Sequence, residues 1–337
     1  MCIASKLLKI TSYHGIMLDN MPKIIYALIA IIGGYIMEKF LSKPKKILLI
    51  LNPNAGKKKS KNVLADIVDI FNRSGYETTV YITSAEKEAT HIVINRSNGF
   101  DMIVCCGGDG ALNEVITGVM ALPSPIPIGY IPAGTTNDTA TSLGISRDIN
   151  KATTDITKGE LLPHDIGIFN ESLYFSYIAS FGAFTEVSYS TSQQSKNLLG
   201  HLAYILEGIK VIGNIRPYKL KIQYDDNFIE DEFVFGAITN SKSVAGIFKI
   251  SADELKLNDG KFEIMLIRNP KNPNQLRNII YGLMTQKYDG EYVSLLHANN
   301  ISIDTEESLP WTIDGEYGGM HDTVNIQNLY RAINFVI

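Results

Sequence analysis

Cysteine is scarce in this chain, which has only Cys2, Cys105 and Cys106 among its 337 residues. An odd number of cysteines with two adjacent members cannot build a disulfide framework, and three thiols alone cannot form a four-ligand zinc site. The composition therefore predicts a reducing, cytosolic setting. Because free cysteine is among the most buried residue types, we expect Cys105 and Cys106 to be small core residues.

Excess positive charge is absent as well. The chain has 31 Lys and Arg against 35 Asp and Glu, a formal net charge of −4, which argues against a nucleic-acid partner bound by bulk positive charge. Apolar residues make up 45% of the chain and charged residues 20%, so disordered and fibrous classes are excluded. A length of 337 residues fits two domains.

The N-terminal segment lacks an apolar run of the about 20 residues that a membrane-spanning helix requires. Residues 24–37 carry no charge, and Lys43, Lys45 and Lys46 follow them. The run has three interpretations: a membrane anchor, a helix packed on the protein, or translated sequence upstream of the true start, with Met21 as an alternative start. The lysines favour a location at the cytoplasmic face of a membrane, where the protein would be held peripherally or by a single N-terminal anchor.

From residue 45 onward, strands and helices alternate. The continuous apolar run at 46–51 is typical of a strand buried in a parallel sheet. Repeated strand–helix alternation predicts a parallel sheet with helices on both faces. We predict strands at 46–51, 77–82, 102–106 and 128–131, with helices between Ser60 and Gly75, at 84–95 and at 111–121.

After residue 162 the pattern changes to short strands joined by turn-rich links, which predicts a mostly antiparallel second domain. The fold class is therefore α/β plus mostly-β, with an N-terminal extension at 1–43, an α/β domain at 44–162 and a β-rich domain at 163–337. We predict strands at 165–169, 173–178, 218–224, 233–239, 261–267, 300–304 and 324–326, and helices at 198–212 and 275–285.

A glycine-rich turn, GGDG at 107–110, follows the predicted strand at 102–106 and opens a helix. Glycines let the backbone approach a phosphate, and a helix N-terminus supplies free N–H groups and the positive end of the helix dipole. The turn matches neither G-x-G-x-x-G nor the P-loop pattern. Its alternative interpretation is a tight strand-to-helix turn without a ligand.

Two more polar loops follow predicted strands, NPNAGK at 52–57 and IPAGTTND at 131–138. Ligands of α/β sheets bind at the carboxyl ends of the strands, so all three loops point to one crevice. Lysines at 57, 58, 59 and 61 make a solvated basic turn the alternative for the first loop. For the last loop, the alternative is that Asn137 or Asp138 caps the next helix.

Five motifs, in this order, resemble those of the bacterial diacylglycerol kinases and related lipid kinases: NPNAGK, GGDGALNEVITG, IPAGTTND, HDIG at 164–167 and DGEYGG at 314–319. The resemblance extends from about residue 45 to the C-terminus and leaves residues 1–43 unmatched. That family shares its nucleotide domain with sphingosine and ceramide kinases and, more distantly, with NAD kinases. The resemblance thus implies an NAD kinase-like two-domain fold.

The resemblance also implies an ATP site. The positions that match the residues holding ATP in the family are Asn52, Pro53, Asn54, Ala55, Gly56, Thr83, Gly107, Gly108, Asp109, Gly110, Ala111, Leu112, Asn113 and Thr135.

The carboxylates have separate implied roles. Asp109, Asp138 and Asp165 match acids that the family links through waters to a catalytic Mg²⁺, and Asp314 matches the proposed general base. A second, structural Mg²⁺ is implied at Lys256, Asp259 and Lys261, partly through backbone carbonyls, and oxygen ligands of this kind suit a hard cation.

Two departures from the family pattern matter. The glycine motif usually ends in Thr where this chain has Ala111, which removes one hydroxyl near the phosphates. Relatives also often carry a basic residue shortly after the TTND motif, and this chain does not. Orientation on an anionic membrane surface would then rely more on the lysines at 57–61, on Lys196 and on the N-terminal segment.

The expected function is ATP-dependent transfer of phosphate to a hydroxyl of diacylglycerol or a related membrane lipid, with a homodimer as the expected assembly. Phosphoryl transfer requires metal charge, positioned phosphates and a proton acceptor, and the acids above supply candidates. Two alternatives stay open: an NAD kinase-like or other soluble-alcohol kinase, and a catalytically weakened membrane or nucleotide-binding protein. Six aromatic residues could line a lipid cleft, although core packing is their more common use: Phe169, Tyr174, Phe175, Tyr177, Phe181 and Phe184.

Overall fold

The computed structural model describes residues 44–58, 63–182, 216–241, 243–244, 248–249, 257–288 and 290–337. Lys46–Ile337 form one compact unit. The N-terminal charge-free run, the predicted helix at 198–212, Phe184, Lys196 and Lys256 lie outside the described residues. Within the described ranges, no helix has both the length and the apolar character needed to cross a membrane.

The first part of the described chain builds a sheet in which β1, β3 and β4 run parallel. All residues of β3 and β4 are buried, as expected for apolar strands covered on both faces. Cys105 and Cys106 lie in this buried row, which confirms their prediction as core residues. The strands are β1 (Lys45–Leu51), β2 (Tyr76–Ile82), β3 (Met102–Gly107) and β4 (Ile128–Pro132).

Helices cover this sheet. The second helix begins at Glu88 rather than at the predicted residue 84, because the Glu88 carboxylate accepts the backbone N–H groups of Ser84 and Ala85 and holds them in a turn. Of two further helices rich in threonine, the first was expected only as the next helix after the IPAGTTND loop, and the second was not predicted. Among the described residues, the helices of this part are α1 (Leu64–Arg73), α2 (Glu88–Arg96), α3 (Asp109–Met120), α4 (Asp138–Leu143) and α5 (Ile149–Lys158).

The remainder is strand-rich and mostly antiparallel, as predicted. One helix, α6 (Pro273–Thr285), packs Ile279 and Leu283 onto it. A small separate pair is formed by β10 (Ser243–Val244) and β11 (Phe248–Lys249). The other strands are β5 (Leu161–Phe169), β6 (Leu173–Phe175), β7 (Ile178–Gly182), β8 (Tyr218–Tyr224), β9 (Asn227–Thr239), β12 (Phe262–Arg268), β13 (Val293–Ala298), β14 (Asn300–Ile313) and β15 (Glu316–Val336).

Strand β15 joins the two parts into a single 13-stranded sheet. Its first residues form a hairpin with β14, and its last residues, Phe335 and Val336, pair in parallel with Ile128 and Gly129 of β4. The sequence predicted only residues 324–326 of this 21-residue strand. The end of the strand-rich part thus lies in the sheet of the α/β part. Strand β5 pairs along β15 as well.

Aromatic side chains fill the core between the strands. Phe169, Phe175 and Phe181 are fully buried in the largest apolar cluster, where Trp311 contacts two of them edge-on. Core packing is therefore the correct interpretation for these three residues. Tyr177 is buried in a neighbouring cluster on which α6 packs.

Candidate active site

The three polar loops predicted to share a crevice do lie together. Their backbones approach so closely that side chains would not fit at two of the glycines. A Cβ atom on Gly56, which has φ +55°, would lie 2.1 Å from the carbonyl oxygen of Ala133, and a Cβ on Gly134 would lie 2.6 Å from Cα of Gly108. The loops after β1, β3 and β4 therefore form one continuous backbone surface.

A cavity of about 220 Å³ opens beside these loops. Residues from the loop after β1, from the end of β2 and from the start of α3 face it. Four of its lining residues belong to the predicted ATP set: Asn52, Asn54, Thr83 and Ala111.

Helix α3 starts at the edge of this cavity. Gly108 is its N-cap residue in an extended conformation, and the first intrahelical bond runs from the N–H of Leu112 to the Gly108 carbonyl. The N–H groups of the three residues before Leu112 therefore have no acceptor within the helix, which is the geometry of an anion-binding helix N-terminus. Leu112 itself has a fully buried side chain in the core.

The carboxylate of Asp109 connects the glycine turn to the loop after β4. Its oxygens accept the backbone N–H groups of Asp138, at 3.1 Å, and Thr139, at 3.2 Å. Asp109 thereby caps α4, and the interpretation that Asn137 or Asp138 caps its own helix is wrong. Asn137 instead takes a left-handed conformation and donates to the carbonyl of Gly134. Asp109 and Asp138 are neighbours, whereas Thr135 is exposed beside them.

Asp165 is placed differently from the other two predicted metal-linked acids. Its buried carboxylate accepts the N–H groups of Gly260 and Arg331, both at 2.7 Å. Burial raises the pKa of Asp165, and these two N–H groups oppose the rise. Of the hydrogen bonds described for this side chain, none reaches Asp109 or Asp138. Asp165 therefore belongs to the surroundings of the loop at 257–261.

That loop is the predicted second cation site. Asp259 accepts the N–H of Lys261 at 3.0 Å, and its charge lies near Asp165. The carbonyl of Leu257 accepts the Asn240 amide, whose buried Oδ1 has no described partner. Lys256 lies outside the described residues. Among the residues that the structure describes, no cluster of three or more His, Cys, Asp or Glu is arranged to hold a metal ion.

Asp314 sits in the turn between β14 and β15, with a φ of +47°. Its Oδ1 accepts the N–H groups of Tyr177 at 3.0 Å and Ile178 at 2.9 Å. Its Oδ2 accepts the N–H of Ser176 and the amide of Asn113, each at 2.9 Å, and the Ser176 hydroxyl at 3.4 Å. Burial raises the pKa of Asp314, and these donors oppose the rise. The carboxylate is thus held by a nest of donors.

The nest explains a difference from the predicted secondary structure. Sequence reasoning predicted one strand at 173–178, but the structure has β6 and β7 with a break at Ser176 and Tyr177. The N–H groups at the break point to Asp314 rather than to a neighbouring strand. A side-chain acceptor far away in the chain therefore replaces the sheet partner.

Glu316 was not among the predicted site residues. It is exposed at the start of β15, and a Cβ atom on Gly110 would lie 3.7 Å from its Oε1. Glu316 therefore faces the first turn of α3. The position of Glu316 in the sequence could have indicated this placement. An acid two residues after Asp314, across an Asp-Gly turn, lies at the same end of the hairpin.

Comparisons with known proteins agree with this arrangement. A family model described as the diacylglycerol kinase catalytic domain matches residues 46–169. A second model, described as the YegS C-terminal NAD kinase beta sandwich-like domain, matches residues 178–333. The predicted NAD kinase-like two-domain fold is thereby confirmed.

Individual relatives cover most of the chain. It is 35% identical over 295 residues to a diacylglycerol kinase of Bacillus subtilis (strain 168), covering 87% of this chain and 96% of the relative. It is 34% identical over 297 residues to a diacylglycerol kinase of Staphylococcus aureus (strain MRSA252), covering 86% and 91%. A crystal structure of a candidate diacylglycerol kinase from Bacillus anthracis str. Sterne matches with a TM-score of 0.74 at 27% identity, covering 88% of this chain and 96% of the other. With relatives at this level of identity over most of their length, the chain is a lipid kinase that belongs to the diacylglycerol kinase family.

Proposed function

We propose that this enzyme transfers the γ-phosphate of ATP to the hydroxyl of diacylglycerol or a closely related membrane lipid. One observation carries the proposal: Asn113, on the helix whose N-terminus faces the cavity, donates to the Asp314 carboxylate. An anion-binding helix end and a candidate proton acceptor thereby belong to one site. The names of the curated relatives support diacylglycerol as the acceptor.

The nucleotide would lie across the three loops. The cavity lined by Asn52 and Thr83 suits the nucleoside part, and the phosphates would extend toward the first turn of α3. There the backbone N–H groups and the helix dipole stabilise negative charge. Ala111 lacks the hydroxyl that the family usually has, but it keeps its backbone N–H, so phosphate binding would rely on the main chain.

The carboxylates fit a magnesium ion that enters with the nucleotide. Mg²⁺ is usually held through one or two carboxylates, several waters and the substrate phosphates rather than by a complete protein cage. Asp109 and Asp138 lie beside each other next to the start of α3, and they would hold such an ion through its waters. The ion would supply positive charge to the transferring phosphoryl group.

The loop at 257–261 fits a second, structural cation less completely. Asp259 and the unpaired Oδ1 of Asn240 are suitable oxygen donors near it. We assign Asp259, Lys256 and Lys261 to this site as a proposal, and Asp165 as the carboxylate that fixes the loop through Gly260.

Asp314 is the proposed proton acceptor, with Glu316 as the alternative. A carboxylate has about four lone-pair positions, and the donors around Asp314 already occupy them. The weakest of these contacts is the Ser176 hydroxyl at 3.4 Å. The lipid hydroxyl would take the place of that third, longest contact on Oδ2, beside the Ser176 N–H and the Asn113 amide, while Glu316 is exposed and needs no such exchange.

The lipid acceptor implies contact with a membrane. Peripheral binding to the cytoplasmic, anionic face, with or without an N-terminal anchor, is part of this proposal. The homodimer remains a prediction.

The test is phosphate transfer from γ-labelled ATP, with Mg²⁺, to four acceptors in parallel: diacylglycerol and ceramide in mixed micelles, sphingosine in micelles, and NAD in solution. We expect label in the diacylglycerol product. Labelled NAD would establish the soluble-alcohol alternative, and labelling of no acceptor would overturn the kinase assignment in favour of a nucleotide-binding protein.

The same assay identifies the proton acceptor. Loss of a general base lowers kcat by about 10²–10⁴-fold, so Asp314→Asn should lose that much while Glu316→Gln loses less. Asp69→Asn is the matched control, because Asp69 is exposed on α1 and pairs only with Arg73 among the described contacts. The reverse ranking would assign the proton transfer to Glu316.

A further inference from the structure

The geometry points to a role for Asn113 that differs from nucleotide binding: it is a positioning residue that fixes the Asp314 carboxylate relative to the phosphate-binding end of α3. This inference rests on the proposed function, since it concerns the same site. It reassigns a residue that the family motif places among the ATP contacts.

Both hydrogens of the Asn113 amide are already engaged within the protein. Nδ2 donates to Oδ2 of Asp314 and to the carbonyl of Tyr174, each at 2.9 Å. A side-chain amide nitrogen carries two donors, so this nitrogen has no further hydrogen for a nucleotide. One acceptor, the carbonyl of Tyr174, belongs to β6 just before the break between β6 and β7. The other, Asp314, belongs to the turn between β14 and β15 and binds the N–H groups at that break.

The helix gives the amide a fixed position. Leu112 and Ile116, on either side of Asn113 along α3, are fully buried beneath the sheet of β3 and β4. The other donors to Asp314 come from residues 176–178 in the strand-rich part. Of the described hydrogen bonds to this carboxylate, the one from Asn113 alone comes from the helix that faces the nucleotide cavity.

The Asn113 contact therefore links two steps of the reaction. Asn113 lies four residues after Asp109 on α3. Its side chain would therefore hold the Asp314 carboxylate, which receives the proton, in a fixed position relative to phosphates bound at the first turn of the same helix. Holding the reacting groups close together in the correct orientation contributes strongly to kcat, and a small displacement of either group lowers kcat substantially. The amide also stabilises the ionised form of Asp314, because a hydrogen bond to a carboxylate favours its charge.

Two substitutions separate positioning from nucleotide binding. Asn113→Ala removes both contacts. Asn113→Asp keeps the shape but places a second carboxyl against Asp314, so the pair would titrate together with one pKa raised. Asn95→Asp on α2 is the matched control, because the Asn95 amide donates only to its own helix in the described contacts. Other titratable groups on the elements around Asp314 are unchanged in these variants: Asp109 and Glu114 on α3, Tyr174 on β6, Tyr177 at the break, and Glu316 and Tyr317 on β15.

We expect both Asn113 variants to lose about 10- to 100-fold in kcat, the size of effect for a misplaced catalytic group. The Kd for Mg·ATP, measured by calorimetry, should change less than about twofold. The acid limb of the kcat/KM profile should move to higher pH in Asn113→Asp by about one unit or more, because a neighbouring carboxylate makes Asp314 harder to ionise. A large rise in Kd with kcat unchanged would overturn the inference and return Asn113 to the nucleotide site.

A measurement without turnover keeps this inference separate from the proposed function. The carboxyl carbon of Asp314 can be followed by ¹³C NMR in aspartate-labelled protein and assigned by its loss in Asp314→Asn. Its pKa should rise in Asn113→Ala and stay unchanged in Asn95→Asp. If no lipid is phosphorylated yet this shift occurs, the contact stands and the kinase proposal fails. If lipid is phosphorylated and the pKa does not move, the positioning role is wrong.

Discussion

Asp109 combines two tasks in one side chain. Its carboxylate caps α4 through the N–H groups of Asp138 and Thr139, and it lies in the first turn of α3, where negative phosphate charge would gather. In the proposed mechanism, a magnesium ion shared with the phosphates would offset the repulsion between these charges. We therefore propose that Asp109, whose cap on α4 is structural, also acts in the nucleotide complex.

Two substitutions of Asp109 should separate these tasks. Asp109→Ala removes the cap, which typically costs about 1 kcal/mol, and should abolish activity. Asp109→Asn retains one oxygen acceptor, so it should lose activity with a smaller loss of stability. Urea unfolding measures stability, and the lipid assay measures turnover. Near-normal turnover of Asp109→Asn would exclude the glycine turn from the phosphate site.

His164 predicts how stability depends on pH. It is 1% exposed, its ring contacts Phe335 edge-on, and burial lowers the pKa of His164 from 6.5 to about 4. Below pH 6.5 the unfolded chain binds a proton that the folded protein does not, so stability is retained above pH 6.5 and lost as pH falls toward 4. At about 1.4 kcal/mol per pH unit, the loss between pH 7 and pH 5 is about 2 kcal/mol.

The measurement is urea unfolding of the wild type and His164→Gln at pH 7 and pH 5, with a chelator present. The difference between the two pH values should shrink by about 2 kcal/mol in the variant. His91→Gln, at an exposed position on α2, should behave as the wild type does. An unchanged pH dependence in His164→Gln would mean that folding does not lower the pKa of His164.

Among the structural elements, the break between β6 and β7 is the one most closely tied to the candidate site. Ser176 lies at this break and offers Asp314 both a backbone N–H, at 2.9 Å, and a hydroxyl, at 3.4 Å. The shorter contact is expected to hold the carboxylate, because hydrogen bonds weaken with distance. The hydroxyl is the partner that the lipid would displace.

A pair of substitutions at Ser176 tests this division. Ser176→Ala removes only the hydroxyl and should leave kcat within a few-fold of the wild type. Ser176→Pro removes the N–H, since proline has no backbone donor, and should lower kcat by at least about tenfold. Circular dichroism melting accompanies both variants. Equal loss of kcat in both would assign the contribution to the hydroxyl instead.

The elements differ in how far the sequence predicts them. Strands β1, β3 and β4 were predictable because each is a continuous apolar run that ends in glycine, proline or asparagine. The start of α3 followed from the glycine turn. The break at Ser176 and the cap on α4 were not predictable, because a carboxylate distant in the chain satisfies each of them. The later start of α2 has a local cause, since Glu88 lies four residues after Ser84. Hydrophobic periodicity does not encode such contacts.

At the scale of the whole molecule, the sequence predicted an α/β domain and a β-rich domain, but it did not predict how a strand connects them. The motifs predicted the three polar loops that lie together, and the resemblance supplied Asp314 as a candidate. The sequence did not reveal that β15 returns to β4, because strand pairing between residues so far apart leaves no local pattern. For the same reason the amide contact of Asn113 with Asp314 became visible only in three dimensions.

The return of β15 predicts one place where the molecule is sensitive to truncation of a side chain. Phe335 is fully buried and pairs with Ile128 of β4 on one side and Leu162 of β5 on the other. Phe335→Ala should destabilise the protein by about 3–5 kcal/mol, as other buried Phe→Ala changes do.

Urea unfolding checks this value, with Phe228→Ala as the control because Phe228 is 62% exposed in the β8–β9 hairpin. We expect less than about 0.5 kcal/mol for the control. Similar losses in the two variants would mean that the buried Phe335 side chain contributes little to the stability of the fold.

The late pairing of β15 with β4 has a consequence for synthesis of the protein on the ribosome. About 200 residues separate β4 from Phe335 and Val336, the residues that cover its open side. At translation rates of roughly 5–20 residues per second, β4 would wait on the order of 10–40 s for this partner. During that interval the nascent α/β layer carries an unpaired strand edge, which is a template for aggregation. We therefore expect the emerging chain to depend on ribosome-associated chaperones more than a protein whose sheet is completed by neighbouring strands.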